Sequence, residues 1–144
     1  MPKFFCDVNV NKLAKWLRFA GFDTMTRQEL SKAKIDVLCI KERRVFITRN
    51  QNIKNFQASI EELSSENVQE QLEYILSKYK IDKDLIGSRC IECNVFLKEV
   101  SVIPNHLLFY ANIEDVKYCS RCGKYFWKGS HYEKMYKRIQ LFNV

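Results

Sequence analysis

Cys90 and Cys93 flank two residues in RCIECNVF, and Cys119 and Cys122 flank two residues in YCSRCGKYF, so one short phrase occurs twice in 144 residues. A two-residue spacing lets one tight turn aim both sulfurs at a common ion, and four thiolates complete the tetrahedral shell of Zn²⁺. The 25 residues between the pairs leave room for a hairpin between two knuckles. After the second cysteine of each pair the chain must reverse, which calls for residues that tolerate positive φ; Asn94 and Gly123 stand there. The spacing therefore predicts one structural zinc held by Cys90, Cys93, Cys119 and Cys122. With every ligand supplied by protein, such a site keeps no open position for a catalytic water. Two redox dithiols are the competing reading, but neither pair opens a helix after a strand as a thioredoxin-like motif does. His106 and His131 have no coordination position left to fill, and Cys6 and Cys39 read as buried apolar residues.

A second set of residues suits a different chemistry. Asp7 ends the apolar stretch KFFC, Asn50 ends RVFIT plus its polar tail, and Asp36 falls near the start of a helical stretch between them. If these converge at the carboxyl edge of a parallel sheet, where α/β proteins collect ligands, they would hold Mg²⁺ or Mn²⁺. Such an ion activates water for phosphodiester hydrolysis. By spacing alone, the competing reading is that single acids at strand ends are caps or surface residues.

Both sets need a frame. KFFCDVNV reads as a strand, and NKLAKWLRFAG as a helix with Leu13, Trp16, Leu17 and Ala20 in one stripe and Gly21 at its C-terminal cap. FDTMT reads as a second strand, LSKAKIDVLCIKE as a helix burying Ile35, Leu38 and Cys39, and RRVFITRNQNI as a third strand. FQASIEELSS holds another short strand, and ENVQEQLEYILSKY is an amphipathic helix with Val68, Leu72, Ile75, Leu76 and Tyr79 inward. Strand and helix alternate, the order of a parallel sheet with covering helices. The pattern stops at KIDKDLIGS, so a boundary is expected near residues 81–87, dividing a domain over 1–82 from a zinc-binding one over 86–144. VFLKEVSVI and HLLFYA read as strands or irregular structure between the knuckles. SHYE predicts a capping box that starts a last helix at Ser130, with Tyr132, Met135, Tyr136 and Ile139 buried.

Composition narrows the class of function. The chain carries a net charge of +7 and 47% hydrophobic residues, enough for a core. A zinc tetrathiolate lowers that charge a little and leaves a basic surface suited to a polyanion. No apolar run reaches the length of a membrane span, and MPKFFCDV lacks the features of a signal peptide. The expected setting is intracellular, in the cytoplasm, with reduced cysteines.

In order along nearly the whole chain, FFCDVNVNKLAKWLRFAGFDT, RRVFITRN, EQLEYIL, SRCIECNVFL and YCSRCGKYFWKGSHYEKM resemble the Mut-seven C-terminal ribonuclease domain family. The resemblance implies a PIN-like α/β domain fused to a zinc ribbon, with a metal-dependent ribonuclease site built from acids. It places the first-strand aspartate on Asp7 and a second-helix acid on Asp36. Where the family reads Thr-Arg-Asp-x-Asp, this chain reads Thr48, Arg49, Asn50, Gln51, Asn52. Each amide removes a negative charge that a hard cation would use, so activity is expected to be weak or conditional; an RNA-binding module without catalysis is the alternative. Asp23, in GFDT, reads first as a turn cap. Lys12, Lys15 and Arg18 recur at helical spacing beside the buried stripe. They, with Arg49, are candidates to grip phosphates, and Trp127 and Lys128 to meet unpaired bases. The expected partner is RNA, with no membrane.

Overall fold

The computed structural model describes residues 1–108 and 115–142. Its first part runs β1 (Lys3–Cys6), α1 (Asn11–Phe19), β2 (Thr24–Met25), α2 (Lys32–Glu42), β3 (Arg44–Thr48), β4 (Ile60–Glu62) and α3 (Val68–Lys78). The four strands form one parallel sheet in the order β2-β1-β3-β4, as the alternation of strand and helix predicts. Both faces of the sheet are covered, which is why KFFC and RVFIT are nearly continuous apolar runs. Successive side chains on a strand point to opposite faces. Accordingly Phe4, Cys6 and Ile47 enter a core with Leu13 and Leu17 of α1 and Leu72, Ile75 and Leu76 of α3. Phe5 and Phe46 enter a second core with Ile35 and Cys39 of α2. Each such large apolar side chain contributes roughly 1.5–3 kcal/mol on burial.

Local chemistry sets the helix ends. Asn67 caps α3 by accepting from the amides of Gln69 and Glu70 at 2.9 and 3.1 Å, and Ser31 caps α2 by accepting from Lys34 at 3.3 Å. The turn after α1 depends on Gly21, at φ +102, where a Cβ would stand 2.7 Å from the Cβ of Leu85.

The second part contains β5 (Lys98–Glu99), β6 (Lys117–Tyr118) and β7 (Tyr125–Phe126), an antiparallel sheet in that order, followed by α4 (Ser130–Gln140). Of the two expected apolar stretches, VFLKEVSVI supplies only the two residues of β5. HLLFYA begins within a 3-10 turn at Asn105–Leu107, and its residues from 109 onward lie outside the described residues. The architecture is thus a helix-covered parallel α/β sheet followed by a small ribbon and helix.

One expectation at α4 fails. Gly129 occupies the cap position and no side chain caps the helix; Ser130 is already its first helical residue, so its hydroxyl is past the point from which a capping box forms. The inward stripe is as predicted, with Met135 and Ile139 buried and Tyr132 and Tyr136 packed beside them. Those residues join the same hydrophobic cluster as Leu13, Leu72 and Phe4, with Ile81 and Ile86 between, so the core runs across the segment where the sequence pattern breaks.

Candidate functional site

The ribbon brings the four predicted cysteines together. One ligand atom from each of Cys90, Cys93, Cys119 and Cys122 lies within 4.8 Å of the others. The two knuckles share one backbone design. Asn94 N donates to Cys90 O and Gly123 N to Cys119 O, both at 2.8 Å, while Cys90 N donates to Val95 O and Cys119 N to Lys124 O, both at 2.9 Å. Asn94 and Gly123 adopt φ of 72 and 76, the reversal expected of each. The amides of Arg121 and Cys122 point at Cys119 Sγ, each at 3.4 Å.

The donor set fits zinc. Four sulfurs about 2.3 Å from one tetrahedral ion stand roughly 3.8 Å apart, and Cys90 Sγ and Cys122 Sγ are 3.8 Å apart. Burial raises the Cys90 thiol, and burial together with contacts to Cys122 and Cys119 pushes Cys93 up to about 12. At Cys119 burial is outweighed by the amides of Cys122 and Arg121, which pull that thiol down to about 7. Sulfurs this close do not readily carry negative charge together unless a cation shares it. Cys6 and Cys39 are buried apart from this cluster, and burial raises both thiols, to about 12 and about 11.

At the carboxyl edge of the large sheet the arrangement differs from a carboxylate cluster. Asp7, only 4% exposed, caps a 3-10 turn at Val8–Val10 by accepting from Val8 N at 2.8 Å through Oδ1. Its Oδ2 accepts from Lys32 Nζ at 2.8 Å, from Thr48 Oγ1 at 2.8 Å and, more distantly, from Asn50 Nδ2 at 3.5 Å. Asn9 joins the group, donating to Asn50 Oδ1 at 3.4 Å and accepting from Arg49 N at 3.2 Å. Burial opposes the charge on Asp7, yet Lys32, Thr48 and Val8 outweigh it and hold the carboxyl below the usual carboxylate range. Asp7 and Asn50 therefore meet as predicted. Asp36 is engaged elsewhere: its two oxygens accept from the amides of Gln57 and Ala58 at 2.8 to 3.0 Å, fixing the entry to β4. Asn52 is exposed beyond the strand at φ 62.

Mg²⁺ and Mn²⁺ ask for several oxygen ligands, usually including carboxylates without competing cations. These residues do not fit that demand. Asp7 is the one carboxylate in the group, and an ammonium already lies against it. Among the described residues the cysteines form the cluster of His, Cys, Asp or Glu side chains able to converge on an ion.

Lys32 was not foreseen. A signal was present: α2 opens with Lys32 and Lys34 and has no acid in its first turn, although cations are unfavourable at a helix N-terminus unless something else compensates them. Here the compensating group is Asp7.

The cationic residues separate in the fold. Lys12 and Lys15 are exposed on α1, and Lys15 meets Glu92 at 3.1 Å. Arg18, expected beside them, is 6% exposed. It donates to Thr24 O, Ile91 O and Glu92 O at 2.8, 2.9 and 3.1 Å and to Thr26 Oγ1 at 3.3 Å, so it stitches the first knuckle to α1 and β2 and presents no free face to a phosphate. Asn94 adds to that seam, accepting from Thr24 N at 2.9 Å and donating to Asp23 Oδ1 at 2.7 Å. Asp23 also receives Arg44 through both oxygens, a structural role in keeping with its reading as a turn residue. Trp127 is half-buried beside the start of α4, and Lys128 is exposed with its Nζ 5.9 Å from the centre of the Tyr132 ring. His106 packs edge-on to Tyr125. Among the described residues, no helix is long and apolar enough to cross a membrane.

No curated protein and no solved structure matches the chain. A family model described as the Mut7-C RNAse domain matches residues 2–139. That span takes in the parallel sheet, the Asp7 edge, both cysteine knuckles and nearly all of α4, and the chain belongs to the Mut7-C RNAse domain family.

Proposed function

We propose that this chain is an RNA-binding member of the family whose sheet edge engages the phosphate backbone and does not cut it through a divalent cation. The observation that carries this reading is the 2.8 Å ion pair between Lys32 and Asp7. It neutralises the one carboxylate at the place where the family's acids would gather, and amides stand at positions 50 and 52. Lys32 remains 44% exposed and keeps donors for a phosphate oxygen. Just past Thr48, the Arg49 guanidinium makes a long contact of 3.6 Å to the exposed Glu66, and its buried Nε has no partner among the described residues. Lys12 extends the cationic surface along α1. In this reading Cys90, Cys93, Cys119 and Cys122 hold one structural zinc, which supplies folding energy and leaves no open position for chemistry. A reducing cytoplasmic setting keeps those thiols available.

A second reading, a metal-dependent ribonuclease of low activity, is favoured by one observation: Asp7 stays ionised at neutral pH, and a half-exposed lysine can swing away from it. One experiment separates the two. Binding of mixed single-stranded RNA is measured at two salt concentrations, and the same RNA is followed for cleavage with Mg²⁺ or Mn²⁺. Salt-dependent binding without cleavage is expected, because phosphate contacts release counterions. Mn²⁺-dependent cleavage that disappears in Asp7→Asn would replace the first reading with the second.

A further inference from the structure

Between β7, the segment following Gly87 and the start of α4 lies a cavity of about 300 Å³. Phe126, Trp127 and Tyr132 are among its aromatic walls, and Arg89, Ser130 and His131 are its polar members. Two glycines set the rings in place. At Gly87, with φ +76, a Cβ would stand 2.7 Å from Tyr132 Cε2; at Gly129, a Cβ would stand 2.9 Å from the indole Nε1 of Trp127. Tyr132 is further fixed by Phe19, edge-on at 5.3 Å, and by Tyr136, stacked at 5.9 Å. Arg89 is held at the rim, its guanidinium 4.0 Å from the centre of the Phe96 ring and donating to Gly21 O and Asn94 O. Tyr132, braced by Phe19 and Tyr136, thus borders an open space that Phe126 and Trp127 also line. Preset walls of this kind spend little entropy on receiving a flat ligand.

The cavity does not stand alone. Ile91, His131 and Met135 also line a smaller cleft of about 210 Å³, whose other members include Lys12, Lys15 and Trp16 of α1. Val10 alone separates α1 from Asn9, which binds Asn50 and Arg49 at the sheet edge. The aromatic pocket thus adjoins, through His131, the two lysines of α1, and α1 leads back through Asn9 and Asn50 to the Asp7–Lys32 pair at the sheet edge. A ligand complementary to this surface carries flat rings and repeated negative charges on one flexible chain, which is the chemistry of a single-stranded nucleic acid.

We propose that the cavity receives one unpaired nucleobase of an RNA strand, stacked against Trp127 or Tyr132, and that the strand's phosphates then follow α1 towards Lys32. The proposal rests on the RNA-binding reading and adds to it a base-dependent component.

The test uses the full chain with its zinc and two probes of equal length, an oligouridylate of about ten nucleotides and its abasic ribose-phosphate counterpart, a length within the site sizes typical of single-strand binders. Stacking one base predicts that the oligouridylate binds about tenfold or more tighter than the abasic oligomer, while both weaken with salt. Ser130→Trp, a substitution at the exposed first residue of α4 that fills the cavity, and Trp127→Leu should each erase the difference and preserve the salt slope. A readout on the unaltered chain stands beside these variants: 4-thiouridine in the oligomer should crosslink to Trp127, Tyr132 or His131. Equal affinity for the two oligomers, a base-dependent gain that persists in both variants, or crosslinks confined to other parts of the chain would overturn the proposal. Salt-dependent binding without base dependence removes only the pocket; failure of both oligomers to bind removes the RNA-binding reading and the pocket with it.

Discussion

At the ribbon, four sulfurs converge with little but backbone amides to temper them; at the sheet edge, one carboxylate meets an ammonium, a hydroxyl and an amide. The first arrangement gathers like groups and calls for an external cation. The second is already balanced by the chain's own lysine. Polar convergence alone therefore does not mark a metal site. What matters is whether the charge gathered there is left for an ion to neutralise.

The comparison is most strongly tested at the ribbon. Removing zinc with a chelator, or replacing one ligand in Cys119→Ser, should forfeit a contribution of about 10 kcal/mol or more, the scale of structural zinc binding. Metal analysis should find about one zinc per chain before the change, and the knuckles should then lose amide protection in hydrogen exchange. Because Met135 and Ile139 share a core with Leu13 and Leu72, the loss should spread into α1 and α3. Intact protection throughout a zinc-free chain would remove the contrast between the two centres.

Next in size is Arg18→Met. Hydrogen bonds to a charged donor are worth roughly 1.5–3 kcal/mol each, and their loss leaves buried carbonyls unpaired. A destabilisation of about 3 kcal/mol in urea unfolding is therefore expected, with RNA affinity nearly unchanged in the folded protein. A large fall in affinity at full stability would return Arg18 to the phosphate-binding surface.

The sheet edge should reveal itself through pH. Asp7 has a depressed carboxyl pKa in the folded protein: burial works against its charge, but Lys32 and Thr48 prevail. The same holds for Asp23, where burial is outweighed by Arg44 and Asn94. A depressed folded pKa gives stability that is present above the unfolded value, near 4, and is lost as pH falls through the folded one. Asp7→Asn should thus flatten the acid limb of the stability curve. Lys32→Met should move the Asp7 titration, followed by NMR, towards its ordinary value. An unmoved titration would mean that Lys32 does not balance this acid.

The smallest effects concern the two asparagines. Asn50→Asp places a second carboxylate beside Asp7 and should cost about 1 kcal/mol without metal, a cost that Mn²⁺ relieves, most fully when Lys32 is also removed. Asn52→Asp lies on the exposed loop and should alter stability by less than about 0.5 kcal/mol. Calorimetric titration with Mn²⁺ checks both. Equal gains in affinity from the two substitutions would show that the loop folds back onto the edge.

The knuckles were legible because their requirements are local: within each one, the two cysteines and the reversing residue, Asn94 or Gly123, fall within five positions. The strand and helix order was legible for a similar reason, since KFFC and RVFIT show the continuous apolar runs of strands covered on both faces. Arg18 was not, because Lys15 and Arg18 share a helical face in sequence, and only the approach of the 91–92 carbonyls distinguishes a buried guanidinium from a solvated one. Asp36 likewise reads as a site acid until the Gln57 and Ala58 amides arrive from a distant loop. Lys32 and Asp7 are brought together by tertiary structure across 25 positions. The SHYE motif misled because a capping box needs its serine one position before the helix, and here Gly129 has that place.

The stitch made by Arg18 and Asn94 has a consequence for solubility. Strand β2 is an edge of the parallel sheet, and its Thr24 presents an outward amide and carbonyl that no strand among the described residues receives. Asn94 takes the amide and Arg18 the carbonyl, so two side chains tied to the first knuckle blunt an edge that could otherwise template pairing with another chain. A zinc held by the knuckles would keep Asn94 in place, and its loss would release Asn94 and bare that edge. The zinc-free protein should then form concentration-dependent aggregates built on the strand at Thr24–Met25.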